Sequence, residues 1–274
     1  MMDPIQTLHL FEPLEQKLIV LLRSLSPTDW NKPTVAKLWT VKDVAAHLLD
    51  TGIRTIAHSK NYVGDPSTTR NSYQELVDYL NGLNADWVKA MKRVSPETLI
   101  DFLQLTQKPF IEYYHSLDLL APAMFSVAWA GEQESKNWFH ISREYTERWH
   151  HQQQIRDAVG QTGIMDREFF FPMIDTLLRA LPYTYRETPA KEGEIVQVKI
   201  LGTAGGEWRI QKENIGWEFT SASAMATSTI ELDADTAWKL FTKAFTRQEA
   251  ETKVKIYGNR ELALPLLRMV SVMG

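Results

Sequence analysis

The chain has 274 residues, of which 44% are hydrophobic, and its formal net charge is −4. This length allows two domains with a core each, and the negative charge argues against a nucleic acid as the main partner. The absence of cysteine excludes disulfides, thiolate metal sites and a cysteine nucleophile. No signal-peptide pattern or apolar run of about 18 residues is present. We therefore expect a soluble cytoplasmic protein with a small-molecule substrate, with no nucleic-acid or membrane partner, as a monomer or homodimer.

Apolar residues at helical spacing dominate the first part of the chain. Thr40 and Asp43 form a capping-box pattern at the start of one helix, and Pro109 is expected to bend or end another. Turn formers interrupt the pattern at 64–71, and the apolar stretch 119–132 is predicted to be a loop packed over the functional site. The predicted helices are 5–25, 40–58, 72–94, 95–117, 138–160 and 166–186.

The composition changes at 186–194, RETPAKEGE, where polar residues, a proline and a glycine indicate a domain boundary. Beyond it the apolar residues alternate, as strands require. The predicted strands are 195–202, 206–212, 216–221, 226–233 and 252–258, and the predicted helices are 234–245 and 259–273. The second domain is therefore predicted to be α+β with a mostly antiparallel sheet. The domain prediction is 1–186 for a helical domain and 187–274 for the α+β domain.

The second domain contains Trp208, Trp217 and Trp238, more aromatic residues than a small core usually needs. We expect this domain to close one side of the functional cleft and help bind a ligand, because ligand sites often lie where domains meet. The alternative is that these tryptophans fill the domain's own core.

The chemistry of the chain centres on Glu147 and His151, which stand four residues apart on the predicted helix 138–160. Residues at this spacing share one helix face, so a carboxylate and an imidazole there can bind one divalent cation. His47 is the best candidate for a third ligand. The alternatives are that His47 is a core histidine and that the pair is exposed. His140 and Glu144 could instead orient a ligand, or Glu144 could replace Glu147 as the carboxylate.

Three other side chains flank these candidates. His150 is predicted to point roughly 100° away from His151, towards the surface or a neighbouring helix. Arg54 lies two turns after His47 on the same face, and Arg143 lies one turn before Glu147. Each arginine is a candidate contact for a substrate carboxylate, the alternative being a solvated side chain.

Two stretches carry a resemblance to a known family: 29–50, DWNKPTVAKLWTVKDVAAHLLD, and 143–160, REYTERWHHQQQIRDAVG. A tryptophan, the pattern V-x-D-V-x-x-H-L and then E-x-x-x-H resemble the DinB/YfiT-like metal-binding four-helix bundle. Within that group the chain looks most like the N-terminal domain of mycothiol-dependent maleylpyruvate isomerases. The C-terminal part, from GEWRIQ through VKIYGNRELALPLL, is similar to the sterol-carrier-like domain of that family.

The resemblance implies an N-terminal DinB-like four-helix bundle with a C-terminal sterol-carrier-like α+β domain. Carried over by position, the family's metal ligands fall on His47, Glu147 and His151. One departure is Gln154, which stands where many relatives have an aspartate. The implied cofactors are a divalent metal, zinc or alternatively nickel, and an external low-molecular-weight thiol such as mycothiol.

The implied activity is that of a metal-dependent, thiol-using isomerase or S-transferase acting on a small electrophile. Since the chain has no cysteine, it cannot supply its own thiolate, which fits the use of an external thiol. Two alternatives come from other classes. One is a hydrolase that uses metal-bound hydroxide, and the other is a non-catalytic ligand-binding protein with a structural metal.

Overall fold

A computed structural model of the chain describes residues 3–62 and 73–271. The first part is helical: α1 (Leu8–Ser24), α2 (Val41–Ser59), α3 (Tyr73–Met91), α4 (Pro96–His115) and α5 (Asn137–Val159). These confirm the first five predicted helices. The predicted break at 64–71 lies outside the described residues. No helix in the described part of the chain is long and apolar enough to cross a membrane.

The predicted capping box fixes the start of α2. Thr40 Oγ1 accepts a hydrogen bond from the Asp43 backbone N–H at 3.4 Å, and Asp43 Oδ2 accepts one from the Thr40 N–H at 3.0 Å. Lys92 Nζ also lies 2.6 Å from Asp43 Oδ1. Burial raises the pKa of Asp43, but the hydrogen bonds from Lys92 and Thr40 outweigh it and hold this pKa below the usual 3.8. The ionised carboxylate therefore anchors the helix that carries His47.

Pro109 lies inside α4, which continues to His115, so the proline does not end the helix. A proline removes one backbone N–H, a loss that packing on the following turn can offset. Here Phe110 and Tyr114 are fully or almost fully buried, and their rings meet edge to face at 5.1 Å. The tertiary packing of these two side chains therefore allows α4 to continue beyond Pro109.

The chain divides into two compact units. Of the described residues, 7–62, 73–121 and 147–163 form the helical unit, and 3–6, 122–146 and 164–271 form the sheet unit. Helix α5 is assigned to the sheet unit up to Thr146 and to the helical unit from Glu147. The predicted boundary at 186/187 falls inside the sheet unit, and autonomous folding of residues 1–186 stays a prediction.

In the helical unit, α2 packs against α3 and α4, and α1 packs against α4. The apolar faces of these amphipathic helices meet in a buried core to which α5 contributes Ile155. Other members of this core are Leu18, Leu22, Trp30, Val41, Val44, Leu48, Leu49, Leu99 and Leu103. This packing sets α2 and the second half of α5 around one interior.

The sheet unit contains β1 (Ile195–Leu201), β2 (Gly206–Lys212), β3 (Trp217–Phe219), β4 (Ser228–Asp233) and β5 (Lys255–Gly258). Their order in the sheet is β3-β2-β1-β4-β5. The β1–β4 pair is parallel and the other three pairs are antiparallel. The prediction of an α+β region with a mostly antiparallel sheet is confirmed.

The helices of the sheet unit differ from the predicted ones in number and in length. The single helix predicted at 166–186 is two, α6 (Arg167–Leu178) and α7 (Leu181–Tyr185), because Pro182 starts a new helix in its first turn. α8 (Ala234–Phe241) was predicted and α9 (Arg247–Glu251) was not. The predicted closing helix is the short α10 (Arg260–Ala263) followed by a 3-10 helix, Leu264–Arg268.

The three tryptophans of the second domain are buried, and each indole N–H has an acceptor within the sheet unit. Trp208 donates to Asp175 at 2.7 Å, Trp217 to the Thr188 carbonyl at 3.2 Å, and Trp238 to Asp235 at 3.0 Å. These side chains therefore form part of the unit's own core. A role for this region in ligand binding stays a prediction.

Candidate metal centre

The Glu147–His151 pair lies in the part of α5 that belongs to the helical unit. Glu147 and His151 are one turn apart, and Glu147 Oε2 lies 3.5 Å from His151 Nε2. His151 is buried and Glu147 is partly buried. The helix thus directs a carboxylate oxygen and an imidazole nitrogen to one point, as their spacing predicts.

His47 comes to the same place from α2. Its ring centroid lies 4.6 Å from that of His151, and the two rings meet edge to face at 72°. The indole of Trp39 lies 4.8 Å from the His47 ring and 6.3 Å from the His151 ring. A tight loop fixes Trp39, because Thr34 donates from its backbone N–H and its hydroxyl to the Trp39 carbonyl. The structure therefore brings the His47 and His151 rings together beside the Trp39 indole.

The surroundings keep His47 neutral. Burial lowers the pKa of His47 well below its usual 6.5, and a charge on His151 acts in the same direction. The Glu147 carboxylate opposes this change without outweighing it. His47 Nδ1 is also buried without a hydrogen-bond partner. A neutral imidazole with an unsatisfied buried nitrogen suits a metal ligand.

Gln154 selects the tautomer of His151. The side-chain oxygen of Gln154 lies 2.9 Å from His151 Nδ1. Because a carbonyl oxygen can only accept, Nδ1 carries the proton, and the lone pair of the neutral ring is left on Nε2. That nitrogen is the one beside Glu147. Gln154 is therefore the hydrogen-bond acceptor that would orient His151 as a metal ligand.

His150 also belongs to this centre, and the prediction that it points away from His151 is wrong. It is buried, and its ring centroid lies 3.9 Å from that of His151. Potential ligand atoms of Glu147, His150 and His151 lie within 4.8 Å of one another. A second nitrogen on the same helix is therefore available beside the predicted set.

Arg54 lies on the same helix as His47 and is held by an acidic neighbour. Its Nε is 3.1 Å from Asp50 Oδ2. Burial raises the pKa of Asp50, although the charge of Arg54 opposes this. The Arg54 charge also lowers the pKa of His47. Its contact with a substrate anion stays a prediction.

Arg143, Glu144 and His140 form a separate group at the start of α5, in the sheet unit. Arg143 Nη2 lies 3.0 Å from His140 Nδ1 and 3.2 Å from Glu144 Oε2. The carboxylate next to His151 is that of Glu147, which favours Glu147 over Glu144 as a ligand. A substrate contact for Arg143 stays a prediction.

Comparison with known proteins identifies the family. Residues 11–156, more than half of the chain, match the family model described as the mycothiol maleylpyruvate isomerase N-terminal domain. The chain belongs to this family. The predicted recognition is confirmed, and the DinB-like superfamily is consistent with it. The residues of the candidate metal centre, from Trp39 to Gln154, all lie within the matched range.

Solved structures show the same fold over nearly the whole chain. The crystal structure of the mycothiol-dependent maleylpyruvate isomerase has a TM-score of 0.56 at 9% identity, and the alignment covers 93% of both chains. A point mutant of the mycothiol-dependent maleylpyruvate isomerase has a TM-score of 0.55 at 8% identity with the same coverage. A comparison with curated proteins gave no match.

The donor set of this family member fits a divalent first-row cation. Two neutral imidazoles and a carboxylate are ligands that zinc accepts, and they leave a further coordination position open. Nickel suits the same nitrogen and oxygen donors. The residues that would hold the ion are His47, Glu147 and His151, with His150 as the additional nitrogen beside them.

Proposed function

We propose that this chain is a metal-dependent, thiol-using isomerase or S-transferase acting on a small electrophilic substrate. The observation that carries the proposal is the contact between the His47 and His151 rings, whose centroids lie 4.6 Å apart. The Glu147 carboxylate lies beside the His151 ring. Membership of the mycothiol maleylpyruvate isomerase N-terminal domain family supports it. Zinc is the proposed ion and nickel the alternative.

We assign His47, Glu147 and His151 as the ligands because they combine an i, i+4 pair with a residue from a facing helix. His150 is an additional nitrogen donor at this centre, since potential ligand atoms of Glu147, His150 and His151 lie within 4.8 Å of one another. The buried, unpaired Nδ1 of His47 supports the choice of His47 over His150. Gln154 holds the proton on His151 Nδ1 and thereby presents Nε2.

The nucleophile is an external low-molecular-weight thiol, because the chain contains no cysteine. The solved relatives are named mycothiol-dependent, and we propose mycothiol for this chain as well. A divalent cation at the centre supplies a Lewis acid that lowers the pKa of the thiol. Trp39 limits the access of water to the two imidazoles, which strengthens their electrostatic interactions.

The substrate is a small electrophile with an activated double bond and a carboxylate. Arg54, held at Nε by Asp50, directs its remaining donors to that carboxylate, and Arg143 is a second candidate for this role. In an isomerase the sulfur adds to one carbon of the double bond and the resulting single bond rotates. The same C–S bond then breaks, which restores the double bond and the thiol. In an S-transferase the C–S bond is retained.

We propose that the helical unit is a DinB-like four-helix bundle and that residues 187–274 form a sterol-carrier-like domain. The TM-scores above 0.5 over 93% of the chain support a common fold with the maleylpyruvate isomerase.

The test is a turnover assay of the zinc-loaded full-length chain with maleylpyruvate, with and without mycothiol. We expect cis-to-trans conversion or a thiol adduct only when metal and thiol are both present, and loss of activity in His151→Ala. Arg54→Gln should raise KM without removing the metal, and Arg54→Lys should restore part of the affinity. Turnover that proceeds equally without thiol would contradict the proposal, and a hydrolysed product would favour the hydrolase.

A further inference from the structure

A charged pair lies buried in the helical unit, next to the ligands but not among them. Arg148 of α5 and Glu15 of α1 have side chains only 4% and 3% exposed, with Arg148 Nε 3.4 Å from Glu15 Oε1. The Arg148 guanidinium also lies 4.1 Å from the centre of the Phe110 ring on α4. Arginine and glutamate are rarely buried this completely unless they are paired. The pair therefore requires an explanation beyond surface solubility.

Arg148 also binds the backbone of α2 beside His47. Its Nη1 donates to the Leu48 carbonyl at 2.8 Å. Leu48 follows His47 directly in the chain, and Arg148 follows Glu147 directly. One hydrogen bond therefore joins the two ligand-bearing segments next to the ligands themselves.

The neighbouring residues fit around this contact. A Cβ atom added at Gly52, one turn further along α2, would lie 3.0 Å from Arg148 Nη2. Glycine is unfavourable inside a helix, and here its lack of a side chain leaves room for the guanidinium. On the other side, Gln107 Nε2 donates to the Glu15 carbonyl at 3.2 Å. Helices α1, α2, α4 and α5 thus all contribute to holding Arg148.

We propose that the Arg148–Glu15 pair is a positioning device that holds α2 and α5 at the spacing that His47 and His151 need to share one cation. The inference rests on the proposed metal centre. A flexible apolar side chain in place of Arg148 could fill the volume, but it could not fix the Leu48 carbonyl by a directed bond. The pair acts through the ligands and touches neither the ion nor the substrate.

The experiment measures the zinc dissociation constant of the full chain by competition with a chelating dye, together with the thermal melt of each metal-free variant. Glu15→Gln/Arg148→Met removes both charges at once, so that neither is left buried without its partner. Gly52→Ala keeps both charges and places a Cβ atom 3.0 Å from Arg148 Nη2, so that the guanidinium must shift by a few tenths of an ångström. Arg156→Met is the matched control, because Arg156 is also on α5 and donates to the backbone carbonyls of Lys17 and Thr162, away from α2.

We expect the double variant to bind zinc at least about tenfold more weakly, the usual effect of losing a residue that orients a metal ligand. Gly52→Ala should weaken binding in the same direction. Arg156→Met should lower the melting temperature while leaving the dissociation constant unchanged. If the double variant does not fold, Gly52→Ala decides the matter alone.

Either of two results would overturn this inference without touching the proposed metal centre. The first is unchanged zinc affinity in a folded double variant or in Gly52→Ala, and the second is an equal loss of zinc affinity in Arg156→Met. The first would show that the pair does not set the ligand spacing. The second would reduce its effect to general stability. A wild-type chain that binds no zinc would overturn the proposed metal centre and this inference together.

Discussion

Replacing Gln154 by leucine removes the acceptor that fixes the tautomer of His151 at nearly constant side-chain volume. Gln154 and His151 are both buried, and the bond between Gln154 Oε1 and His151 Nδ1 is 2.9 Å long. Without that acceptor the buried N–H has no partner in its present position. The imidazole can then place its proton on Nε2, the nitrogen that the metal needs.

The size of the effect follows from these contacts. A buried donor left without an acceptor costs about 1–3 kcal/mol. Loss of a residue that orients a metal-bound histidine weakens metal binding by about 10-fold to 100-fold. We therefore expect the zinc dissociation constant of Gln154→Leu to rise by about one to two powers of ten, where each power corresponds to about 1.4 kcal/mol.

The assay is zinc competition against a chelating dye at neutral pH, with circular dichroism to confirm that each variant is folded. Gln153→Leu is the matched control, because it makes the same change one residue earlier and the Gln153 side-chain oxygen has no hydrogen-bond partner. Gln154→Glu should retain tight binding, because a carboxylate also accepts from Nδ1. Zinc binding by Gln154→Leu that equals the wild type would refute this account of the tautomer.

Three further predictions concern stability. Gly163→Ala should lower the free energy of unfolding by about 1–3 kcal/mol in a denaturant titration, because φ is +144° and the added Cβ would lie 2.7 Å from Arg156 Nη1; an unchanged midpoint would contradict this. Because folding lowers the pKa of Asp43 below its usual 3.8, the ionised carboxylate stabilises the folded state at pH values above 3.8. This stabilisation is lost as the pH falls through the folded-state pKa. The melting temperatures of wild type and Asp43→Asn should therefore converge as the pH falls below about 4. Since the pKa of His47 is well below 6.5, the metal-free wild type should lose up to about 1.4 kcal/mol per pH unit below 6.5 relative to His47→Gln, and parallel pH profiles would refute this.

Local chemistry made much of the helical unit predictable. The Thr40–Asp43 capping box needs residues only three positions apart, and the structure contains it. The Glu147–His151 pair is equally local, because one helical turn fixes the relative direction of the two side chains. In both cases the backbone geometry of a single helix is sufficient for the prediction.

His150 shows what helical geometry leaves undetermined. The angle between successive residues fixes where each Cβ points, but rotation about the side-chain bonds then moves the ring. The His150 and His151 rings thus reach a centroid distance of 3.9 Å despite their diverging Cα–Cβ bonds. Packing against other elements selects those rotamers, and the sequence pattern of one helix carries no information about it.

Contacts between distant segments account for other differences. Arg148 and Glu15 are charged residues that a pattern of exposed and buried positions would assign to the surface, yet each is buried by pairing with the other. The assignment of α5 to two units likewise depends on long-range packing. By contrast, α9 was within reach of sequence reasoning, because Thr246 and Glu249 form a capping box at its start.

The central claim, that His47, Glu147 and His151 bind one divalent cation, is tested most directly by elemental analysis. Purified wild type, His47→Ala, His151→Ala and His150→Ala would be loaded with zinc, desalted and measured for zinc per chain. We expect a single equivalent in the wild type and in His150→Ala, and a large loss in His47→Ala and His151→Ala. Undiminished zinc in both His47→Ala and His151→Ala would contradict it.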